Sequence, residues 1–127
     1  MNLEKVVFAF FIVLALTLNF GFFLGGFDNV NHHNAYELFA ALVVSLIATV
    51  LKLGDRTHIG AVLLATSLVA DLELALATVV WAATVYGAGA GLTPRLMGDI
   101  VGLSGGALLA NLASVIILVT ETVMVRR

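Results

Sequence analysis

Cysteine is absent, proline occurs once, and charged side chains make up only 11% of the 127 residues. Without cysteine there is no disulfide, no thiolate metal site and no cysteine catalysis. So little charge beside 61% hydrophobic residues is incompatible with a soluble domain of this size, and the solvent of the fold is expected to be lipid. A basic cluster is lacking too: 6 Lys and Arg stand against 8 Asp and Glu, for a formal net charge of −2, which leaves no footprint for nucleic acid. No nucleotide-binding loop, soluble catalytic domain or long linker is present. Function is therefore expected on helix faces or in short loops, with no cofactor.

What fills the chain instead is four apolar stretches, residues 6–26, 36–53, 59–87 and 100–125, each near or above the roughly 18 to 20 residues of a bilayer crossing. They predict an all-α fold: one polytopic transmembrane domain over residues 1–127. The first stretch is longer than the apolar core of a signal peptide and no cleavage motif follows it, so it is expected to remain as a helix. With the N-terminus inside, Lys5, Lys52, Arg56, Arg126 and Arg127 fall on the cytoplasmic side and only Arg95 falls outside, which predicts both termini in the cytoplasm. Tyr36, Tyr86 and the phenylalanines at the two ends of helix 1 suit an interfacial aromatic belt. Residues 28–34 and 87–97 read as outer connections and Gly54-Asp55-Arg56-Thr57 as an inner turn. The two halves share no matching polar positions, so an inverted-repeat transporter is not indicated.

Small residues show where helices can approach. Gly102, Gly106, Ala110 and Ser114 recur every fourth residue in helix 4, Gly21 and Gly25 are four apart in helix 1, and Ala83 and Gly87 end helix 3. Such stripes serve packing within one subunit, and several of them leave room for an interface between subunits.

The sharpest signal lies in helix 3. Asp71 and Glu73 interrupt an apolar run, and Asp71 falls roughly 20 Å from His58, near mid-bilayer. A charged carboxylate there costs at least about 2.5 to 3.5 kcal/mol, so such residues face a bundle interior or water and often mark an ion or proton path. The two acids point about 160° apart. Ser67, Asp71 and Thr78 share one stripe and Thr66, Glu73 and Thr84 another, so the helix is polar on two sides. One stripe can be buried inside a four-helix subunit; the second predicts a homo-oligomer in which carboxylates form a ring. The alternative is that the acids are protonated and hydrogen-bond to Asn19, Asn111 or a neighbouring helix.

The remaining polar residues carry less. Asn19 and Asn111 read as glue between helices. His32 and His33, with Asp28 and Glu37, could hold a divalent metal or sense outer pH, but a third ligand at a convincing spacing is missing. The acids Asp28 and Glu37, and Asp99 less directly, would concentrate cations at an outer mouth. Lys52, Asp55 and Arg56 suit anchoring at the inner interface, and Glu121 suits pairing with Arg126 and Arg127.

Helix 1 holds Asn19 where a small multidrug exporter would carry a central glutamate, and the Gly-rich and Phe-Ser-Thr signatures of double-barrelled fluoride channels are absent. Instead, Asn2-Leu3-Glu4-Lys5, His32-His33-Asn34, Gly54-Asp55-Arg56-Thr57, Ala70-Asp71-Leu72 and Leu103-Ser104-Gly105-Gly106 together resemble an uncharacterised family of small four-helix bacterial inner-membrane proteins, a domain of unknown function. The resemblance covers nearly the whole chain and implies a bacterial inner membrane but no activity. The expectation from the residues is an oligomeric path for monovalent or divalent cations lined by Asp71, Ser67 and Thr78, with Glu73 and Thr66 on the second stripe. The alternative is a non-transporting accessory or scaffold subunit. Catalysis is not expected, because no histidine lies within a span.

Overall fold

The computed structural model describes residues 3–24, 35–55, 57–87 and 93–125, with side chains omitted at 86, 87 and 125. Four helices account for them: α1 (Leu3–Phe23), α2 (Ala35–Lys52), α3 (His58–Ala82), which runs on into a π-helical turn (Ala83–Gly87), and α4 (Pro94–Val125). Each is long and apolar enough to cross a membrane, the pattern of a multi-pass membrane protein. Only 28% to 33% of the residues in the apolar stretch of each helix are buried in the bundle, so most of the apolar surface points outward, as a lipid-facing surface must.

The helix ends follow local chemistry. Thr57 caps α3, its Oγ1 accepting from Gly60 N at 2.9 Å, while Asp55 accepts from Thr57 N at 2.9 Å and Thr57 Oγ1 at 2.7 Å. That arrangement supplies acceptors for the otherwise orphaned amides of the first turn. α4 starts six residues earlier than its apolar stretch suggests. Thr93 caps it through Leu96 N at 3.2 Å, and Pro94 opens the first turn, where its missing N–H costs nothing. The residues from Pro94 to Met97, expected in the outer connection, are thus helical. In the π turn, Thr84 Oγ1 lies within bonding distance of both the Val80 and Trp81 carbonyls, at 2.8 and 2.9 Å.

The buried residues step by threes and fours on every helix: Phe8, Ile12, Ala15, Asn19, Phe22; Leu38, Ala41, Ser45, Ala48, Lys52; Leu63, Ser67, Ala70, Leu74, Ala77; and Met97, Ile100, Ser104, Ala107, Asn111, Ser114, Leu118. This is the heptad seam of helices packed nearly along one another. α1 packs on α2 and α4, and α3 packs on α2 and α4, closing a ring of four. Lys5 of α1 and Glu121 of α4 are 3.9 Å apart, so the start of α1, the α2–α3 turn and the end of α4 share one end of the bundle. Glu121 pairs there with Lys5; Arg126 and Arg127, its expected partners, lie outside the described residues.

The expected small-residue seam of α4 divides. Positions four apart drift about 40° per step around a helix of 3.6 residues per turn, so the row winds across the surface. Gly102 is exposed with open space where a side chain would be, Gly106 and Ala110 are half-buried, and Ser114 is fully buried.

Candidate functional site

The apolar core is in two parts. One cluster gathers Phe22, Leu38, Ala41, Ala70, Leu74, Ala77, Met97, Ile100, Val101 and Ala107; the other gathers Phe8, Ile12, Ala48, Leu63 and Leu118. Between them, the inward positions on α2, α3 and α4 are polar: Ser45, Ser67, Asn111 and Ser114, all 0% exposed. A polar layer therefore crosses the bundle interior between two apolar plugs.

Asp71 borders this layer at 7% exposure. Its Oδ1 accepts from Ser45 Oγ at 2.6 Å and its Oδ2 from Thr49 Oγ1 at 2.5 Å. Ser45 and Thr49 are one turn apart, so a single face of α2 presents both hydroxyls to one carboxylate. Thr49 Oγ1 also lies 3.0 Å from the Ser45 carbonyl, and a hydroxyl has only one proton to give. When Asp71 is charged, Thr49 donates to it. When the acid is protonated, it donates to Thr49, whose own proton goes to the Ser45 carbonyl. One set of heavy-atom positions thus serves both forms of the acid.

Glu73, on the other side of α3, is half-buried and lies over Gly106 of α4, where even a methyl group would overlap its carboxylate. Nearby, Thr66 Oγ1 and Ser114 Oγ are 2.5 Å apart. α3 is therefore polar on two sides because it touches α2 with one and α4 with the other. Two-sided polarity, from which a shared carboxylate ring was expected, is accounted for within one subunit. Thr78 shares the angular position of Asp71, yet its hydroxyl donates to the Leu74 carbonyl of its own turn at 2.8 Å and offers the acid nothing.

Asn19 joins α1 to α4. With its amide nitrogen turned toward the acceptors, it donates to Ser104 Oγ at 2.6 Å and to the Ser104 carbonyl at 3.1 Å, and its oxygen accepts from Leu108 N at 2.9 Å. These bonds run between two helices. Asn111 differs: neither its Nδ2 nor its Oδ1 has a partner among the described residues, and Ser67 Oγ is in the same condition.

At the shared end, Lys52 is more than an anchor. It is 8% exposed, with its ammonium 4.4 Å from the Phe8 ring centre and 3.2 Å from Asp55. The hydroxyl and then the amide of Thr57, with Lys52 adding less, hold the Asp55 carboxyl down to about 2. At the opposite end, Glu37 is half-buried over Gly21, so its carboxylate is set against α1, while Asp99 is exposed. The other outer-mouth candidates, Asp28, His32 and His33, and the packing residue Gly25 lie outside the described residues, as does Arg56. Ser45, Thr49 and Ser104 are the residues that sequence reasoning missed. The available signal was Ser45-x-x-x-Thr49, the same spacing that drew notice to the small residues of α4.

No curated protein and no solved structure matches the chain. A family model does match it over residues 32–122, covering α2, α3, their turn and nearly all of α4, and leaving α1 with its Asn2-Leu3-Glu4-Lys5 approach outside the match. That span exceeds half of the chain, and the chain belongs to this family, described as a family of unknown function (DUF6394).

Proposed function

We propose that this protein is a cation-permeable membrane protein in which the Asp71 layer inside each four-helix bundle is the point where cations are recognised. Asp71 carries the reading: an acid near the middle of a span whose hydrogen-bond partners among the described residues are hydroxyls and not a cation. A buried acid without a charged partner lowers stability and marks ion or proton handling. Its neighbours add to this, because Ser67 and Asn111 hold polar atoms without a partner among the described residues. The apolar clusters on either side are the barriers that must part for an ion to pass.

In this proposal the Lys5 and Lys52 end, with Arg56, Arg126 and Arg127, faces the cytoplasm of a bacterium, and Arg95 lies across its inner membrane. Self-association sets complete bundles side by side, with the bare outward face at Gly102 available for a helix of a second copy. The rival reading is an accessory or scaffold subunit, favoured by Asn19 and Thr66–Ser114, whose polar groups tie helices together.

Flux in liposomes separates the two. The purified protein should pass cations above the empty-liposome leak across a range of pH and voltage, and Asp71→Asn should weaken that flux at least about tenfold while assembly persists. If the unmodified protein passes no cation, permeation is refuted and the accessory reading stands.

A further inference from the structure

We propose that the polar layer is a dehydrated binding site for one alkali-metal cation per bundle, ligated by oxygens of Asp71, Ser45, Thr49, Ser67 and Asn111. This rests on the cation reading above and specifies its substrate class.

The first ground is placement. Ser67 precedes Asp71 by one helical turn on the same face, and helical side chains lean toward the N-terminus, which carries the Asp71 carboxylate toward Ser67. In the antiparallel α3–α4 pair, Thr66 meets Ser114 and Glu73 lies over Gly106. Moving three residues back from Ser114 to Asn111 therefore moves three residues forward from Thr66, to a level between Ser67 and Asp71. Ser45 and Thr49 are already bonded to the acid. All five side chains thus converge on one stretch of the interior.

The second ground is the unmet bonding of that stretch. Ser67 and Asn111 are 0% exposed, and Ser67 Oγ and both amide atoms of Asn111 lack partners among the described residues. A buried polar group costs stability unless something bonds it. Asn19, an amide in the same bundle, satisfies both of its ends on the backbone of α4. Ser67 Oγ and Asn111 Oδ1 are thus buried oxygens with lone pairs free at the level of a carboxylate, the groups that a bound cation would use.

The donor set fixes the class. Carboxylate, hydroxyl and amide oxygens are hard ligands suited to alkali and alkaline-earth ions, and no sulfur or imidazole is among them. The hydroxyls keep lone pairs for a cation while donating to the carboxylate. A single carboxylate supplies one negative charge. A monovalent ion leaves the layer neutral, whereas a divalent ion would leave a net positive charge in a low-dielectric interior.

The test is thermal unfolding of the full-length protein in detergent, in chloride salts of sodium, lithium, potassium or N-methylglucamine at equal ionic strength, with magnesium and calcium in separate arms. One alkali cation should raise the midpoint by about 10 °C at a hundredfold excess over its dissociation constant. Ser67→Ala, which removes one oxygen and little volume, should weaken that cation's apparent affinity about tenfold, and Asn111→Ala should do the same. A midpoint indifferent to the alkali cations, an equal shift from N-methylglucamine or calcium, or full affinity in both variants overturns the site. An alkali-specific shift without flux retains the site and refutes permeation; flux unchanged by both variants retains permeation and refutes the site.

Discussion

Replacing Thr49 by Val isolates the contact on which the functional reading stands. The β-branched shape is kept and one hydroxyl is lost, leaving Asp71 Oδ2 without the donor now 2.5 Å away. A hydrogen bond to a charged group contributes about 1.5 to 3 kcal/mol net, whereas interhelical bonds in membranes average about 0.6 and reach about 1.7 kcal/mol. With Asp71 only 7% exposed, water cannot readily replace Thr49, so the coupling belongs near the top of the membrane range. A double-mutant cycle of Thr49→Val and Asp71→Asn, read by reversible unfolding in mixed micelles, should give a coupling of about 1 to 1.7 kcal/mol. Thr78→Val is the control. It sits at the same angle on α3 as Asp71, but its hydroxyl is spent on Leu74, so its coupling to Asp71→Asn should stay within about 0.5 kcal/mol. Equal couplings for Thr49 and Thr78 would mean that helix face, not contact, governs the acid, and the buried site would have to be abandoned.

Gly102→Ala, filling space that is open within one bundle, should stabilise the single bundle dispersed in detergent by about 0.5 to 1 kcal/mol through helix propensity. Gly106→Ala must displace the Glu73 carboxylate and should forfeit that gain in unfolding measurements, recovering it in the Glu73→Ala background; no recovery would show that the carboxylate is not what fills the space. Asn19→Leu should destabilise by about 1 to 2 kcal/mol in the same assay, since it removes bonds to a serine hydroxyl and to the backbone of α4. Asp55 is lowered on folding from 3.8 to about 2, so its contribution to stability is complete above 3.8 and lost as pH falls toward 2. An acid titration of Asp55→Asn should lack that component; an identical acid profile in the variant refutes the assignment.

Hydropathy alone reveals the four helices, because a crossing segment must be long, apolar and internally hydrogen-bonded. The start of α4 was obscured because Arg95 and Asp99 lower the hydropathy of a turn that Thr93 and Pro94 nevertheless nucleate. Asp71 was legible as the central group because an acid is costly at that depth. Its partners were not, since pairing depends on the register between α2 and α3, and single-helix angles carry no register. For Thr78, single-helix angles likewise do not show that its hydroxyl turns back to the Leu74 carbonyl of its own helix. Asn19 and Asn111 looked equivalent as amides in apolar helices, but Asn19 meets a serine and the backbone of α4, whereas Asn111 meets no partner among the described residues.

That difference separates polar groups that hold helices together from those available to a ligand. Glue is satisfied on both sides of the contact: Asn19 with Ser104 and Leu108, and Thr66 with Ser114. Glu73 belongs with the structural groups, since Gly106 is bare where its carboxylate lies and the fit is one of shape between α3 and α4. Asp71, Ser67 and Asn111 differ because, among the described residues, the acid is bonded by hydroxyls and not by a cation, and the buried polar atoms of the other two have no partner. A bundle using its polar residues only for cohesion would place partners opposite Ser67 and Asn111 or make both apolar, since a half-satisfied network is less stable than either. In the proposed reading, the placement of that imbalance between two apolar clusters is the argument for a ligand site over general helix adhesion, with Asp71 as its acid and Glu73 as a packing group.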